Sequence, residues 1–340
     1  MSLIETQEEL DLVLESALSA KIIAIDTEFY RKTTYFPILS TIQIAFLGSE
    51  FIIDCLSDLD FSILKDILEA EEILKIFHAS HQDIIALKHS LNINLKNIFD
   101  TQIAAMLTGY LNSPSLAELC KAILGITLNK DMQYTNWLKR PLSTKHIDYA
   151  LLDVKYLEQI YENLSLKIKD LKREDWLLEE MSYLCSLEEE RNIWIRINSN
   201  PKNIKEYRVL RYLTIWREIE AKKLDISPSL LLSDSVIKSL SIHKIFRNNE
   251  LDEIFPINQK ININEEYRKI KGFNGKVDLK GLLKQVINYI CNIKKLPPHL
   301  IATQEELISF ALNPQDNSKK INKGWRKKLL SNILNQLINI

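Results

Sequence analysis

The chain has 340 residues, is 46% hydrophobic and 26% charged, and carries four widely spaced cysteines, Cys55, Cys120, Cys185 and Cys291. This excludes a disordered or fibrous protein, a disulfide framework and a paired-cysteine zinc site, and it fits a reducing, cytoplasmic setting. The first twenty residues hold five acidic side chains and no basic one, the reverse of a secretory leader, and no run approaches the roughly 18 apolar residues of a membrane span. The net charge of −1 conceals a split, since residues 1–200 hold 19 basic and 31 acidic side chains, a net of −12, and residues 201–340 hold 25 and 14, a net of +11. A carboxylate-gathering half followed by a half able to hold a polyanion is one reading of that split, and two solvated surfaces are the other.

The N-terminal half alternates strand and helix. Lys21-Ile-Ile-Ala-Ile-Asp-Thr-Glu-Phe begins with the unbroken apolar run of a strand buried on both faces. Thr41–Leu47 and Phe51–Asp54, separated by Gly48-Ser49-Glu50, complete an antiparallel meander with it. A helix over about 61–70, a strand over 73–77 and a helix over 83–89 follow, giving an α/β protein with a mixed sheet. Pro114 and Ser115 open a further helix that Gly125 closes, and Ser143 caps one long helix containing 147–168. The polar stretch Ile197–Asn203, with Pro201, is the domain break, and beyond it Tyr207, Leu210, Leu213 and Trp216 mark an all-helical half.

Asp26 and Glu28 stand two apart at the end of the first strand, so both carboxylates leave one face. Acids ending an apolar strand need cations or donors, although such a pair alone also reads as a turn or cap. Asp83 begins a helix, where stabilising the helix dipole is the plain reading. Tyr149 and Asp153 stand i and i+4 on one helical face. His78 and His81 read as structural, because two histidines without further ligands make no zinc site. Asp100-Thr101 reads as a helix cap. Phe29 is either a base-stacking platform or core, and Trp137, Lys139 and Arg140 form a basic loop that is either solvated or in contact with phosphate.

In combination these residues resemble the DEDD superfamily of 3′ to 5′ exonucleases, in the tyrosine-type branch that holds the ribonuclease D family. The matching motifs are IAIDTEFY at 23–30, IFHASHQDI at 76–84 and YALLDVKYL at 149–157, with further similarity in TTYFPILSTIQIA, FDTQIAAMLTGY and NWLKRPLS. The resemblance implies a ribonuclease H-like fold and makes Asp26, Glu28, Asp83 and Asp153 ligands of two divalent ions, Mg²⁺ or Mn²⁺. All-oxygen ligation suits those ions, which in such hydrolases sit about 3.5–4 Å apart and clamp the scissile phosphate. It makes Tyr149 the residue that orients the attacking water, keeps Asp100 near the site, and leaves Thr27, Phe29, Lys139 and Arg140 as candidate substrate contacts.

WREIEAKKLDISPSLLLSDSVIKSL at 216–240 resembles the HRDC module, with an indistinct turn at 254–264, and GWRKKLL at 324–330 resembles part of a reduced second module. The implied organisation is an exonuclease domain at 1–172, a connector at 173–205, an HRDC domain at 206–291 and a reduced module at 292–340. The expected activity is 3′ to 5′ hydrolysis of RNA to nucleoside 5′-monophosphates by a cytoplasmic enzyme without membrane association. Its expected partners are tRNA precursors or other structured RNA with a free 3′ end. The alternatives are an exodeoxyribonuclease using the same acids and a noncatalytic RNA-binding protein.

Overall fold

The computed structural model describes residues 2–128, 136–186, 197, 201–243, 279–303, 306–307, 310 and 320–330. The chain divides into two units, one of residues 1–30, 37–188 and 290–300 and the other of 31–36, 189–289 and 301–340.

The first unit is built on a mixed sheet. β2 (Ile22–Tyr30), β3 (Ile38–Phe46) and β4 (Ser49–Asp54) form the expected antiparallel meander. β5 (Leu74–Phe77) and β6 (Ile98–Asp100) extend it beyond β2 in parallel, and the short β1 (Leu3–Ile4) adds to β4, giving the order β1-β4-β3-β2-β5-β6. β2 therefore lies inside the sheet, and packed helices cover both of its faces, which is why its apolar run is continuous rather than alternating.

The pleat of β2 sorts its side chains by parity. Ile23 and Ile25 enter a core closed by α1 (Gln7–Ala17), α2 (Ser62–Glu69) and α3 (His81–Leu91), to which α8 (Glu174–Cys185) adds Met181 and Leu184. Ala24 enters the opposite core with Ile76 and Phe99, closed by α4 (Thr101–Leu107), α5 (Leu116–Leu119) and α7 (Leu157–Asp170). Asp26 and Glu28 continue the Ala24 row, and Thr27 continues the Ile25 row.

The helix signals in the sequence hold, with one correction. Ser115 starts α5 with a capping box, and Gly125 ends the following turn at a left-handed φ of +73°, where a Cβ would be strained. Ser143 also forms a capping box, in which the His146 ring replaces the usual Glu or Gln. The single helix expected through 147–168 is two, because Tyr156 at φ −107°, ψ 1° separates α6 (Thr144–Lys155) from α7. Val154, Leu157 and Ile160 pack into one core across the break, so their apolar periodicity conceals it.

In the second unit, α9 (Ile204–Leu224) packs with α11 (Asp234–His243) around Val209, Leu210, Tyr212, Leu213 and Ile237, with α10 (Pro228–Leu231) between them in sequence. Arg217 is buried in this unit, bonded to Asp234 Oδ1 at 2.6 Å and to Leu232 O at 2.7 Å. Asp225 ends α9 in the left-handed region, and its carboxylate accepts from the Tyr35 and Phe36 amides. Among the described residues after 197 the regular structure is helical. The indistinct turn at 254–264 and part of the polar break, 198–200, lie outside the described residues.

Asp100 ties the strands to the helices. Its buried carboxylate caps α4 through the Gln102 and Ile103 amides and also accepts from the Ser80 amide and hydroxyl, each at 2.8 Å, just before α3. The cap read from the sequence therefore also sets the start of the helix that carries Asp83. Asp100→Ala strands these donors together and should destabilise the chain by about 3 kcal/mol in urea unfolding.

Candidate active site

The residues singled out by their spacing converge on one face of β2. Asp26, Glu28 and Asp153 bring their carboxylate oxygens within 4.8 Å of one another. The first two arrive through the pleat, and the third through α6, which packs across β2, β3 and β4. Tyr149 stands one turn before Asp153 on α6, near enough for the Asp153 carboxylate to act on its hydroxyl. Trp137 and Ala150 pack beneath α6 in a small core with Ile52, and the Trp137 ring lies 6.2 Å from the Tyr149 ring.

Asp83 reaches the site from the other layer. It is buried, and the Thr27 hydroxyl donates to its Oδ1 at 2.5 Å. It is not one of the three acids that cluster most closely, yet its charge acts on both Asp26 and Glu28.

The electrostatics are those of partly buried like charges. Burial, then Asp83, Asp153 and Glu28, holds the Asp26 carboxyl well above the ordinary carboxylate range. Burial, then Asp153 and Asp83, pushes Glu28 up to about 8. Asp83 rises to about 6 through burial, partly offset by the Thr27 hydrogen bond. Burial, then Asp153, Glu28 and Asp26, pushes the Tyr149 hydroxyl up, so it keeps its proton and donates. A cluster of oxygen donors under such mutual repulsion suits a hard divalent cation.

Other candidates have local duties. The Thr27 hydroxyl is committed to Asp83. Phe29 packs against the core on the α1–α3 side, which favours its core reading. Arg140 directs its guanidinium inward, to Asp54 at 2.5 and 2.7 Å and to the carbonyls of Trp137, Lys139 and Ser40. All of its nitrogens are thereby engaged, which leaves Lys139 as the exposed cation of that loop. The Thr101 hydroxyl donates to Phe77 O and lies 2.9 Å from His78 Nδ1, while His81 is exposed. Among the described residues neither histidine joins a metal-holding cluster.

Sequence reasoning missed Asp54, the buried partner of Arg140, and the pair Thr41 and Gln43. These two alternate with aliphatic residues in Thr-Ile-Gln-Ile, and the pleat sets them on one face of β3 as it sets Asp26 and Glu28 on one face of β2.

Residues 1–169 match a family model described as a 3′-5′ exonuclease. Ribonuclease D of Zymomonas mobilis is 31% identical over 327 residues, which cover 94% of this chain and 77% of that protein. The chain belongs to the ribonuclease D family. Another ribonuclease D, from Nitrobacter hamburgensis, is 34% identical over 248 residues, 72% of this chain and 65% of that protein. The crystal structure of Escherichia coli RNase D shares the fold, with a TM-score of 0.78 at 24% identity over 99% of this chain and 98% of that one. The acid cluster of this ribonuclease D family member lies wholly within the segment matched by the exonuclease model.

Two stability measurements follow from the site. Glu28 titrates higher folded than unfolded, so the metal-free chain has its full stability below the unfolded value near 4.5 and loses it as pH rises towards 8. Glu28→Gln should therefore unfold later than wild type in chelator, by about 1–2 kcal/mol at pH 8 and by progressively less towards pH 5. Arg140→Ala leaves the Asp54 carboxylate buried and unpaired. In urea it should lose about 3 kcal/mol, the low end for a broken buried pair because the guanidinium is partly exposed.

Proposed function

We propose that this chain hydrolyses RNA from the 3′ end, one nucleotide at a time, releasing nucleoside 5′-monophosphates, and that its natural work is tRNA 3′-end maturation. The observation that carries this is the convergence of Asp26, Glu28 and Asp153 on one face, with Tyr149 one helical turn before Asp153. The donor set fits two divalent ions, Mg²⁺ or Mn²⁺, held by Asp26, Glu28, Asp83 and Asp153, which when bound supply a polarised water and neutralise phosphate charge.

The protein's own groups do the rest. Thr27 holds Asp83 in place. Tyr149 directs the attacking water through its hydroxyl, the role that the family resemblance implies. Lys139 is the remaining candidate for a phosphate contact. The E. coli RNase D that shares the fold is described as an exoribonuclease involved in structured RNA processing, which supports structured RNA with a free 3′ end as the substrate class.

We assign 1–172 to the exonuclease domain, 173–205 to a connector, 206–291 to an HRDC module and 292–340 to a reduced second module. The net charge of +11 after residue 200 supplies affinity for the RNA backbone through counterion release. A cytoplasmic site of action accords with this substrate, and among the described residues no helix is long and apolar enough to cross a membrane.

Matched labelled RNA and DNA strands, digested with and without chelator, test the assignment. RNA should shorten from the 3′ end only when the metal is available, and preferential DNA digestion would replace this reading with a deoxyribonuclease. Asp26→Ala and Asp153→Asn should reduce turnover to the chelated background, and activity retained in either contradicts the site. Tyr149→Phe should lower kcat about 100-fold with little change in KM, whereas wild-type turnover removes its role. RNA affinity should drop at least about tenfold between about 50 and 200 mM salt.

A further inference from the structure

β3 runs antiparallel to β2 so that Thr41 lies opposite Glu28 and Gln43 opposite Asp26. Directly opposed residues project from the same face, with Cβ atoms about 4.5–5.5 Å apart. Gln43 and Thr41 thus form a second polar row beside the acids, and both are fully buried.

Their hydrogen bonding is incomplete. Gln43 Nε2 donates to Thr41 Oγ1 at 2.8 Å, while Gln43 Oε1 is buried with no hydrogen-bond partner. Buried polar atoms are nearly always satisfied, so an unpaired carbonyl at the heart of a sheet calls for a cause. Packing does not supply one, since Ile52 lies opposite it on β4 and belongs to an apolar cluster with Trp137 and Ala150. Leucine or methionine would fill the same space without an unpaired oxygen.

The chemistry of the orphan narrows its partner. Oε1 accepts and cannot donate, so it needs a proton donor. Asp26, across the strand pair, has no proton to offer once it holds a cation. Water on a divalent cation is a strong donor, and Mg²⁺ usually keeps several waters when proteins bind it. We propose that Gln43 is a positioning residue of the metal site, its Oε1 accepting a hydrogen bond from an ion-bound water while Thr41 fixes the orientation of the amide. The inference rests on reading the acid cluster as a divalent-cation site. Gln43 acts on the water and the ion, and it is not a ligand.

The test is Mn²⁺ binding to the full chain by titration calorimetry, with thermal unfolding measured on the same samples in chelator. Gln43→Leu should fold with a midpoint equal to or above that of wild type, because it removes an unpaired buried carbonyl, yet bind Mn²⁺ about 10–100-fold more weakly. Thr41→Val, which keeps the amide and loses its anchor, should weaken Mn²⁺ binding in the same direction. Unchanged Mn²⁺ affinity in Gln43→Leu, with binding abolished in Asp26→Asn, overturns the role of Gln43 and leaves the metal site standing. No Mn²⁺ binding by wild type overturns both. A crystal structure of the Mn²⁺-loaded wild type gives an independent reading even where a variant does not fold. It should place Gln43 Oε1 about 3 Å from an ion-bound water, and Oε1 without such a water overturns the proposal.

Discussion

Everything at the site follows from holding carboxylates together against their own repulsion. Asp26, Glu28 and Asp153 approach within 4.8 Å, with Asp83 acting on the first two, in surroundings that disfavour charge. Left to themselves, such groups would separate or stay protonated. The surrounding architecture denies them the first option, and a divalent cation would remove the need for the second.

The restraint comes from different sources on the two sides of the sheet. On the α3 side, Asp83 is fixed by Thr27, and the start of its helix by the Asp100 carboxylate through Ser80. On the α6 side, Tyr149 and Asp153 ride on a helix whose base is the Trp137 ring, and the Trp137 carbonyl accepts from Ser40 and Arg140. Arg140 in turn grips Asp54 at the end of β4. Several polar residues near the site therefore serve as framework, among them two that the sequence offers as substrate contacts, Thr27 and Arg140.

The fold class was legible in the sequence because it is written in short-range patterns: the meander in apolar runs broken by Gly48, the caps in Ser115 and Ser143. The acids and the tyrosine stand at two-residue and four-residue spacings that are commonplace one by one, and only the three motifs together, through the resemblance they carry, marked them as a set. The harder features depend on tertiary contacts. Nothing local distinguishes an Arg that binds phosphate from one that pairs with Asp54, eighty-six positions away. The break at Tyr156 leaves the apolar stripe intact, since the residues on either side share a core. α1 and α4 carry caps at Thr6 and Asp100, but β1 and β6 are two and three residues long, too brief for any alternation to show. Gln43 was readable in principle as a polar residue in an apolar strand, yet only its register against Asp26 gives it meaning.

The pleat of β2 stores the chemistry as odd and even positions. Ile23, Ile25 and Thr27 serve one layer, and Ala24, Asp26 and Glu28 serve the other. A one-residue insertion or deletion upstream of Asp26 within this strand would exchange the two sets, presenting threonine to the face that gathers the acids and carboxylates to the aliphatic core. Drift at this strand is thus confined to substitution, whereas the loops around it are free to change length. The reading frame of the active site is a matter of backbone geometry, set before any side chain meets its substrate.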